Sequence, residues 1–407
     1  MSIFDRAFRL AARVRRRLAG RPAAPPPQAE VRDLLHPEVM QDPYPYYAAL
    51  RERGPVHFLP ERGLWLVLGY DEVSQAFKSP AQFSSARPQV RFDPIMNEAD
   101  PPHQTRVRRA VAPYFTPAAA EALEAPARAV AAELLAECAG RAEVEIVREY
   151  AVPLVERVVG SFLGLTRDEC ESLRARLGRF GDEEQEASFL ELHAWAGEQV
   201  AAAAAGPPTG SMAGRLFRAQ DGAAHTPEEA AGLLKLFWIA GTTTTSRLVA
   251  AAVLHLLRDP GLRARVQADP ALVPALVEEA ARLDPPEMLL WRLAGPGAEL
   301  AGAAIPAGAE VRLVVAAANR DPARFPEPDR LRLDRAPNPH LAFGSGPHVC
   351  PGSRLARLQV RVALEALLAA WPRFREARPL SALTYAPSPN YRALGELWVS
   401  PGEGAAR

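Results

Sequence analysis

The segment best suited to carry chemistry runs from Phe343 to Gly352, with the sequence Phe-Gly-Ser-Gly-Pro-His-Val-Cys-Pro-Gly. Gly344 and Gly346 allow tight turns and a close approach of the backbone to a flat ligand. Cys350 then falls at the start of a helix predicted over Ser353–Ala370, where the helix dipole and free N–H groups lower the pKa of a thiol. A thiolate at the end of a glycine-lined loop is a suitable axial ligand for haem iron. The segment therefore predicts haem ligation by Cys350.

Three other interpretations of this segment stay open at this point. A buried inert cysteine is the commonest fate of a lone Cys, but it leaves the glycines unexplained. A zinc site needs about four closely spaced ligands, and in the sequence only His348 lies near. A phosphate-binding loop would need a third glycine after Gly344-Ser345-Gly346.

A long buried helix is predicted from Thr226 to about Arg258. Thr226-Pro227-Glu228-Glu229 has the pattern of a capping box with proline at the first helical position. From Leu233 to Leu257 the helix is apolar on nearly every side, so we expect it in the centre of the molecule. Its middle, Ala240 to Thr245, consists largely of weak helix formers. We expect the threonine hydroxyls to bend the helix there and Gly241 to leave a groove.

The rest of the chain indicates a mainly α, α+β protein in which small antiparallel sheets formed by both ends of the chain meet. The segments behind this prediction are a hairpin over Pro55–Gly69 turned at Glu61–Gly63, helical patterns from Gln104 to about Leu257 with breaks at Thr116-Pro117 and between Gly206 and Gly214, a strand over Glu310–Val315, and an irregular stretch over Asn319–Pro328.

Composition excludes several classes of function. Lys+Arg and Asp+Glu both number 48, so net charge indicates neither a nucleic acid nor an acidic partner. The three cysteines, Cys138, Cys170 and Cys350, are far apart and form no disulfide framework, which is typical of a reducing, cytoplasmic setting. No apolar run approaches the ~20 residues needed to span a bilayer.

The first 32 residues are predicted to lie outside the folded domain, which takes up 33–407. Phe4, Phe8, Val14 and Leu18 recur at helical spacing among arginines, as in a basic amphipathic helix that lies on a membrane surface or docks on a partner. A frayed, solvent-exposed extension is the alternative. Residues 20–32, rich in proline and alanine, are predicted to be a linker.

Four ordered segments resemble those of the cytochrome P450 superfamily, and the resemblance covers the chain from about Asp42 to Val399. Phe343 to Ala356 resembles the haem-binding signature, with its Phe-Gly-x-Gly-x-His-x-Cys-x-Gly followed by Leu-Ala. Glu279 to Arg282 resembles the Glu-x-x-Arg pair, Ala318 to Pro322 the stretch leading to the haem loop, and Ala240 to Thr245 the oxygen-binding centre of the long central helix.

The resemblance implies a single P450-type fold, haem b and a bacterial haem-thiolate monooxygenase. Such an enzyme uses O2 to oxidise an apolar small molecule, here expected in secondary metabolism, as a monomer with electrons from a separate ferredoxin or flavodoxin. Two alternatives are a peroxide-dependent or non-monooxygenase haem enzyme, and a non-catalytic accessory subunit. Because accessory relatives typically lose the cysteine, Cys350 favours an enzyme.

The resemblance also assigns roles to individual residues. Arg108, Arg292 and His348 would hold the haem propionates, together with Gln104, where most relatives carry His. Glu279 and Arg282 would form a buried pair completed by Arg335. The implied cofactor-binding residues are Cys350, Phe343, Gly344, Gly346, His348, Gly352, Arg292, Arg108, Gln104 and Ala356; the implied catalytic residues are Thr244, Thr243, Gly241 and Ala240.

Two departures from the family pattern change the expected chemistry. The acid that usually precedes the oxygen-side threonine, Thr244, is Thr243 here, so a water chain, another residue or the substrate must deliver protons. Pro351 has no N–H, so one hydrogen bond to the sulfur of Cys350 is missing, and we expect Pro351→Leu to raise the midpoint potential.

Substrate and redox partner are predicted to meet different surfaces. The segments expected to contact an apolar substrate are 84–99, 182–211 and 237–245. A basic face for an acidic electron donor is expected from Arg106 and Arg109 together with Arg357 and Arg361.

Overall fold

The computed structural model describes residues 34–86, 95–177, 185–207, 210–218 and 225–402, without the side chains of 185–187. The predicted amphipathic helix and linker within residues 1–32 lie outside the described residues, as do parts of the predicted substrate segments.

The described part of the chain is mainly helical, with the longest helices in its central portion. The helices are α1 (Pro37–Gln41), α2 (Tyr44–Glu52), α3 (Tyr70–Lys78), α4 (His103–Val111), α5 (Pro117–Glu121), α6 (Glu124–Glu137), α7 (Val152–Leu163), α8 (Arg167–Leu177), α9 (Gln185–Ala205), α10 (Met212–Phe217), α11 (Pro227–Arg258), α12 (Pro260–Ala268), α13 (Val273–Leu283), α14 (Val315–Ala318) and α15 (Ser353–Ala370).

The strands form small sheets that join the two ends of the chain, as the sequence predicts. The strands are β1 (Val56–Leu59), β2 (Leu64–Val67), β3 (Phe83–Ser84), β4 (Val144–Glu145), β5 (Leu289–Ala294), β6 (Glu299–Leu300), β7 (Ala303–Ala304), β8 (Glu310–Val314), β9 (Arg375–Glu376) and β10 (Trp398–Ser400). The largest sheet has the order β1-β2-β8-β5-β3. Its pairings are antiparallel except for β2 with β8, which is parallel.

The predicted hairpin forms where expected. Gly63 adopts φ +64°, a conformation that glycine tolerates at no steric cost, and its N–H donates to the Leu59 carbonyl at 2.8 Å. The expectation of helix throughout Gln104 to Leu257 is wrong at one place. Val144 and Glu145 form strand β4 against β10, and a π-helical turn over Val147–Ala151 follows before α7 begins.

Helix α11 passes through the core and packs against α7, α9 and α15. Its capping box is present: the Thr226 hydroxyl accepts from the Glu229 N–H at 3.2 Å, and the Glu229 carboxylate accepts from the Thr226 N–H at 3.3 Å. The helix is continuous for 32 residues, so its threonine-rich middle does not interrupt it.

Candidate active site

The loop before Cys350 is held in a shape that its glycines permit. Gly344 and Gly346 have φ of +69° and +67°, and the Cys350 N–H donates to the Phe343 carbonyl at 2.8 Å. A Cβ on Gly346 would lie 2.5 Å from the Phe77 carbonyl oxygen of α3. Only glycine therefore lets the loop lie directly on the end of α3.

The environment of Cys350 acts on its thiol in two opposing directions. Burial raises the pKa of the Cys350 thiol, while a hydrogen bond from the Gly352 N–H lowers it. Burial has the larger effect, so the pKa of the thiol is raised on balance, while the N–H at the helix start acts in the direction that the sequence predicts. A coordinated metal ion would remove the thiol proton outright, and the Gly352 N–H is placed to donate to the sulfur.

A charged cluster fixes the loop to helices α13 and α15. Glu278 accepts from Arg357 at 2.6 Å and lies 3.0 Å from Nε2 of His340. Burial raises the pKa of Glu278, but hydrogen bonds from His340 and Arg357 outweigh burial and lower this pKa to about 2. The Arg357 guanidinium also lies 4.2 Å from the ring centroid of Phe343, so the same arginine covers the aromatic ring that opens the cysteine loop.

A second cluster, centred on Glu279, is almost completely buried. Glu279 and Arg282 are 1% and 0% exposed, and their side chains are joined by two hydrogen bonds, of 2.6 and 2.9 Å. The Glu279 carboxylate also accepts from Arg335 and Asn338, both at 3.0 Å, and from the Arg332 N–H at 2.8 Å. The structure thus brings together the three residues that the sequence groups, and adds Asn338, which sequence reasoning missed.

Cationic and polar side chains gather on the other side of the loop. Burial and the charges of Arg292 and Arg108 lower the pKa of His348 to about 4, with Asp100 acting in the opposite direction. Nε2 of His348 is buried and has no hydrogen-bond partner within the described residues. Gln104 is 2% exposed and its side chain donates to the Pro347 carbonyl at 2.6 Å, so it ties α4 to the loop as well as facing this region.

These residues fit haem b. A cysteine sulfur with one N–H donor suits the iron, and a glycine loop suits a flat macrocycle. Arg108 and Arg292 suit the propionates, since guanidinium groups bind carboxylates, and the partnerless nitrogen of His348 is a ready donor. Ala356, in the first turn of α15, donates its N–H to the Gly352 carbonyl at 2.9 Å and so belongs to the support of the loop.

The middle of α11 presents an exposed face within a mostly buried helix. Ala240 is exposed, Thr243 and Thr244 are half-buried, and Thr242 and Thr245 are buried. The hydroxyls of Thr243 and Thr244 donate to the carbonyls of Ile239 and Ala240 at 2.8 and 2.7 Å. With its donors already engaged, this face offers methyl groups and acceptor oxygens.

Gly241 lies close to a side chain of helix α7. A Cβ at Gly241 would lie 3.1 Å from Cγ2 of Val159, so Val159 occupies the space next to the glycine. Gly241 therefore lets α11 and α7 pack closely, which the sequence alone could not reveal because Val159 is more than 80 residues away.

The predicted basic face is largely neutralised. Arg106 pairs with Glu229, Arg357 with Glu278, and Arg361 with Glu124 at 2.8 Å. Acidic residues distant in sequence therefore fold against three of the four arginines of the predicted basic face. Arg109 is exposed, and so are Lys78 and Arg354, which both lie near the cysteine loop.

Comparison with known proteins agrees with this geometry. The cytochrome P450 family model matches residues 211–372. The vitamin D(3) 25-hydroxylase of Pseudonocardia autotrophica is 33% identical over 93% of this chain and 98% of its own. The structure of cytochrome P450 CYP109Q5 from Chondromyces apiculatus superposes with a TM-score of 0.85 at 30% identity, covering 92% of this chain and 99% of that one. CYP109E1 from Bacillus megaterium, in complex with testosterone, gives a TM-score of 0.83 at 27% identity, covering 90% and 100%.

The fold and the site define a haem-thiolate enzyme. The chain belongs to the cytochrome P450 family, uses haem b and is a monooxygenase. Within the described residues, no helix combines the length and the apolar character needed to cross a membrane.

Proposed function

We propose that this monooxygenase inserts an oxygen atom from O2 into a bulky apolar small molecule of secondary metabolism, with electrons from a separate ferredoxin or flavodoxin. The observation that carries the substrate class is the exposed face of α11. Ala240 and the methyl groups of Thr243 and Thr244 line it, and both hydroxyl donors are engaged by the helix itself. An apolar ligand that contacts this face leaves no hydrogen-bond donor without a partner, so burying the face costs little free energy.

The names of the relatives support a polycyclic or steroid-like substrate. One relative is named as a vitamin D(3) hydroxylase and another was solved with testosterone. When bound, haem b supplies the activation of dioxygen. The protein's own residues then have distinct tasks: Cys350 donates its sulfur, Gly352 donates its N–H to that sulfur, and Thr244 carries a hydroxyl at the exposed face.

Ligation by Cys350 is tested by the spectrum of the reduced, carbon monoxide-bound protein. The wild type should show the red-shifted band of a thiolate-ligated haem, and Cys350→Ser should lose that band while keeping its helical circular dichroism. Protein without colour after expression with ample haem precursor would contradict haem ligation at this site. Thiolate spectra that survive Cys350→Ser would exclude this residue as the ligand.

The substrate class is tested by titrating the ferric protein with testosterone and cholecalciferol and following the haem absorbance. A saturable shift with either sterol, and none with the polar control glucose, supports the proposal. Shifts with small aromatic acids only would contradict it.

We propose that the redox partner docks on the rim around the cysteine loop, where Lys78, Arg109 and Arg354 are exposed. Arg354 also borders a shallow surface depression shared with Tyr114 and Pro351. An acidic ferredoxin or flavodoxin would be attracted to such a rim. Arg109→Glu with Arg354→Glu should slow reduction by ferredoxin at low salt. Arg106→Glu changes an arginine that is already paired and is the matched control. Equal reduction rates in all variants would exclude this rim as the docking surface for the redox partner.

A second candidate function, use of hydrogen peroxide as oxidant, is favoured by Thr243. Its hydroxyl cannot supply an acidic proton, and it is bonded to Ile239. Comparing testosterone turnover with peroxide against turnover with NADPH, ferredoxin and ferredoxin reductase separates the two candidates. Efficient turnover with the electron supply excludes peroxide as the required oxidant, and turnover with peroxide alone excludes the electron-driven route proposed here.

A further inference from the structure

Three polar side chains converge next to the exposed face of α11. Arg247 follows Thr243 by four residues and Thr244 by three, so it lies on the same face of the helix. Its guanidinium carbon lies 4.6 Å from the ring centroid of Tyr391. Tyr391 in turn forms an isolated antiparallel bridge with Glu287. A stretch after α13, a stretch before β10 and the centre of α11 thus bring Arg247, Tyr391 and Glu287 into one wall.

The charge of Glu287 acts on Arg247. Burial lowers the pKa of the Arg247 guanidinium, and the Glu287 carboxylate raises it. A carboxylate that influences Arg247 is within electrostatic reach of the helix face that carries Thr244. Glu287 itself is half-buried.

We propose that Glu287 is the acid that supplies protons for dioxygen cleavage, in place of the carboxyl group absent at position 243, and that Arg247 positions it. The proposal deepens the monooxygenase reaction and adds no new activity. In that reaction a substrate C–H bond, O2, two protons and two electrons from the redox partner give an alcohol and one water. The O–O bond breaks, one oxygen atom enters the C–H bond, and the other takes up both protons.

Thr244 is the natural intermediary in this route. Its hydroxyl donates to the Ala240 carbonyl at 2.7 Å, which leaves its oxygen able to accept a proton from Glu287 directly or through one water. Passing its own proton onward then requires only that the hydroxyl turn away from Ala240. Glu287, being half-buried, can be reprotonated from solvent.

The first test measures the midpoint potential of the haem by spectroelectrochemistry, without any turnover. Glu287→Gln removes a negative charge from the wall beside Thr244 and should shift the potential upward, because a nearby anion stabilises the more positive ferric state. Glu228→Gln, which changes an exposed glutamate in the first turn of α11, is the matched control and should leave the potential unchanged. An unshifted potential in Glu287→Gln would overturn the proposal, since the carboxylate would then not reach the site.

The second test measures how electrons from NADPH divide between two products when no organic substrate is present. With ferredoxin and its reductase, one NADPH per O2 gives hydrogen peroxide, and two NADPH per O2 give two waters. Water formation needs O–O cleavage and hence delivered protons. Glu287→Gln should lower the water-to-peroxide ratio about tenfold, at the low end of what positioned acids contribute.

Restoring an acid at the other position makes the test specific. The double variant Thr243→Glu, Glu287→Gln should regain most of the water-forming share, whereas Thr243→Gln, Glu287→Gln should not. If Glu287→Gln shifts the potential but leaves the ratio unchanged, the proton role is excluded. If the water-to-peroxide ratio stays low in both double variants, although their circular dichroism and haem content match the wild type, Glu287 does not substitute for an acid at position 243. The proposal then fails.

Discussion

The cysteine-loop side of the site and the α11 face opposite are built in contrasting ways. On the loop side the main charged groups have protein partners: Glu279 alone accepts from Arg282, Arg335, Asn338 and the Arg332 backbone. On the α11 face the hydroxyls are satisfied within their own helix, and Ala240 is exposed. The sulfur loop is thus held by a cross-linked network of charges, while the substrate side is a helix surface whose hydroxyl groups are satisfied within the helix.

The largest expected effect comes from breaking the network at its centre. Glu279→Ala leaves Arg282 and Arg335 as buried charges without their carboxylate, which should cost about 3–5 kcal/mol and prevent haem incorporation. Urea unfolding and the haem-to-protein absorbance ratio measure both effects. Glu327→Ala, which removes a more exposed carboxylate paired with Arg330 and Arg332, should cost far less, because water screens exposed ion pairs. Equal losses of unfolding free energy in the two variants would show that burial does not make this network more stabilising than a surface ion pair.

Two glycines, one on each side, give a direct comparison. Gly346→Ala places a Cβ 2.5 Å from a backbone oxygen at a positive φ, and should destabilise the protein by about 3 kcal/mol. Gly241→Ala meets only the movable Val159 side chain at 3.1 Å, and alanine's better helix propensity, about 1 kcal/mol, offsets the crowding. Thermal unfolding measures both variants. The contrast between the two sides is refuted if Gly241→Ala is the more damaging.

The acid sensitivity of the loop side can be isolated at Glu278. Because its folded-state pKa of about 2 lies below the usual value of 4.5, the unfolded chain binds the proton more readily. Its stabilising contribution is therefore present above the unfolded pKa and is lost as pH falls from about 5 to about 2. Urea midpoints across this range should fall less steeply for Glu278→Gln than for the wild type. Glu299→Gln, on an exposed strand end, should follow the wild type.

The smallest effect concerns the sulfur itself. Pro351→Leu supplies a backbone N–H next to Cys350, in addition to the one from Gly352. A further hydrogen bond to the sulfur reduces its electron donation, so the midpoint potential should rise modestly. Spectroelectrochemistry checks the shift, with Pro347→Leu as the control in the same loop. A potential that is unchanged or lower would show that the new N–H does not point at the sulfur.

Much of the fold was predictable because its signals are local. The capping box at Thr226, the helix over Ser353–Ala370 and the turn at Gly63 depend on residues within a few positions of one another. Strand β4 was missed because two residues of strand carry no periodicity, and its partner β10 lies more than 250 residues later. The ion pairs of Arg106 and Arg361 could not be predicted for the same reason, since their acidic partners are distant in sequence.

The sequence by itself determined the chemistry of this protein: a cysteine after a glycine loop, a Glu-x-x-Arg pair and a threonine-rich helix centre are short patterns whose meaning is carried by spacing. Tertiary structure alone decided what surrounds them. It placed Val159 against Gly241, gave Glu279 four donors and brought Glu287 beside Arg247 and Tyr391. Burial and electrostatic fields depend on distances in space, and these distances cannot be read from the order of residues along the chain.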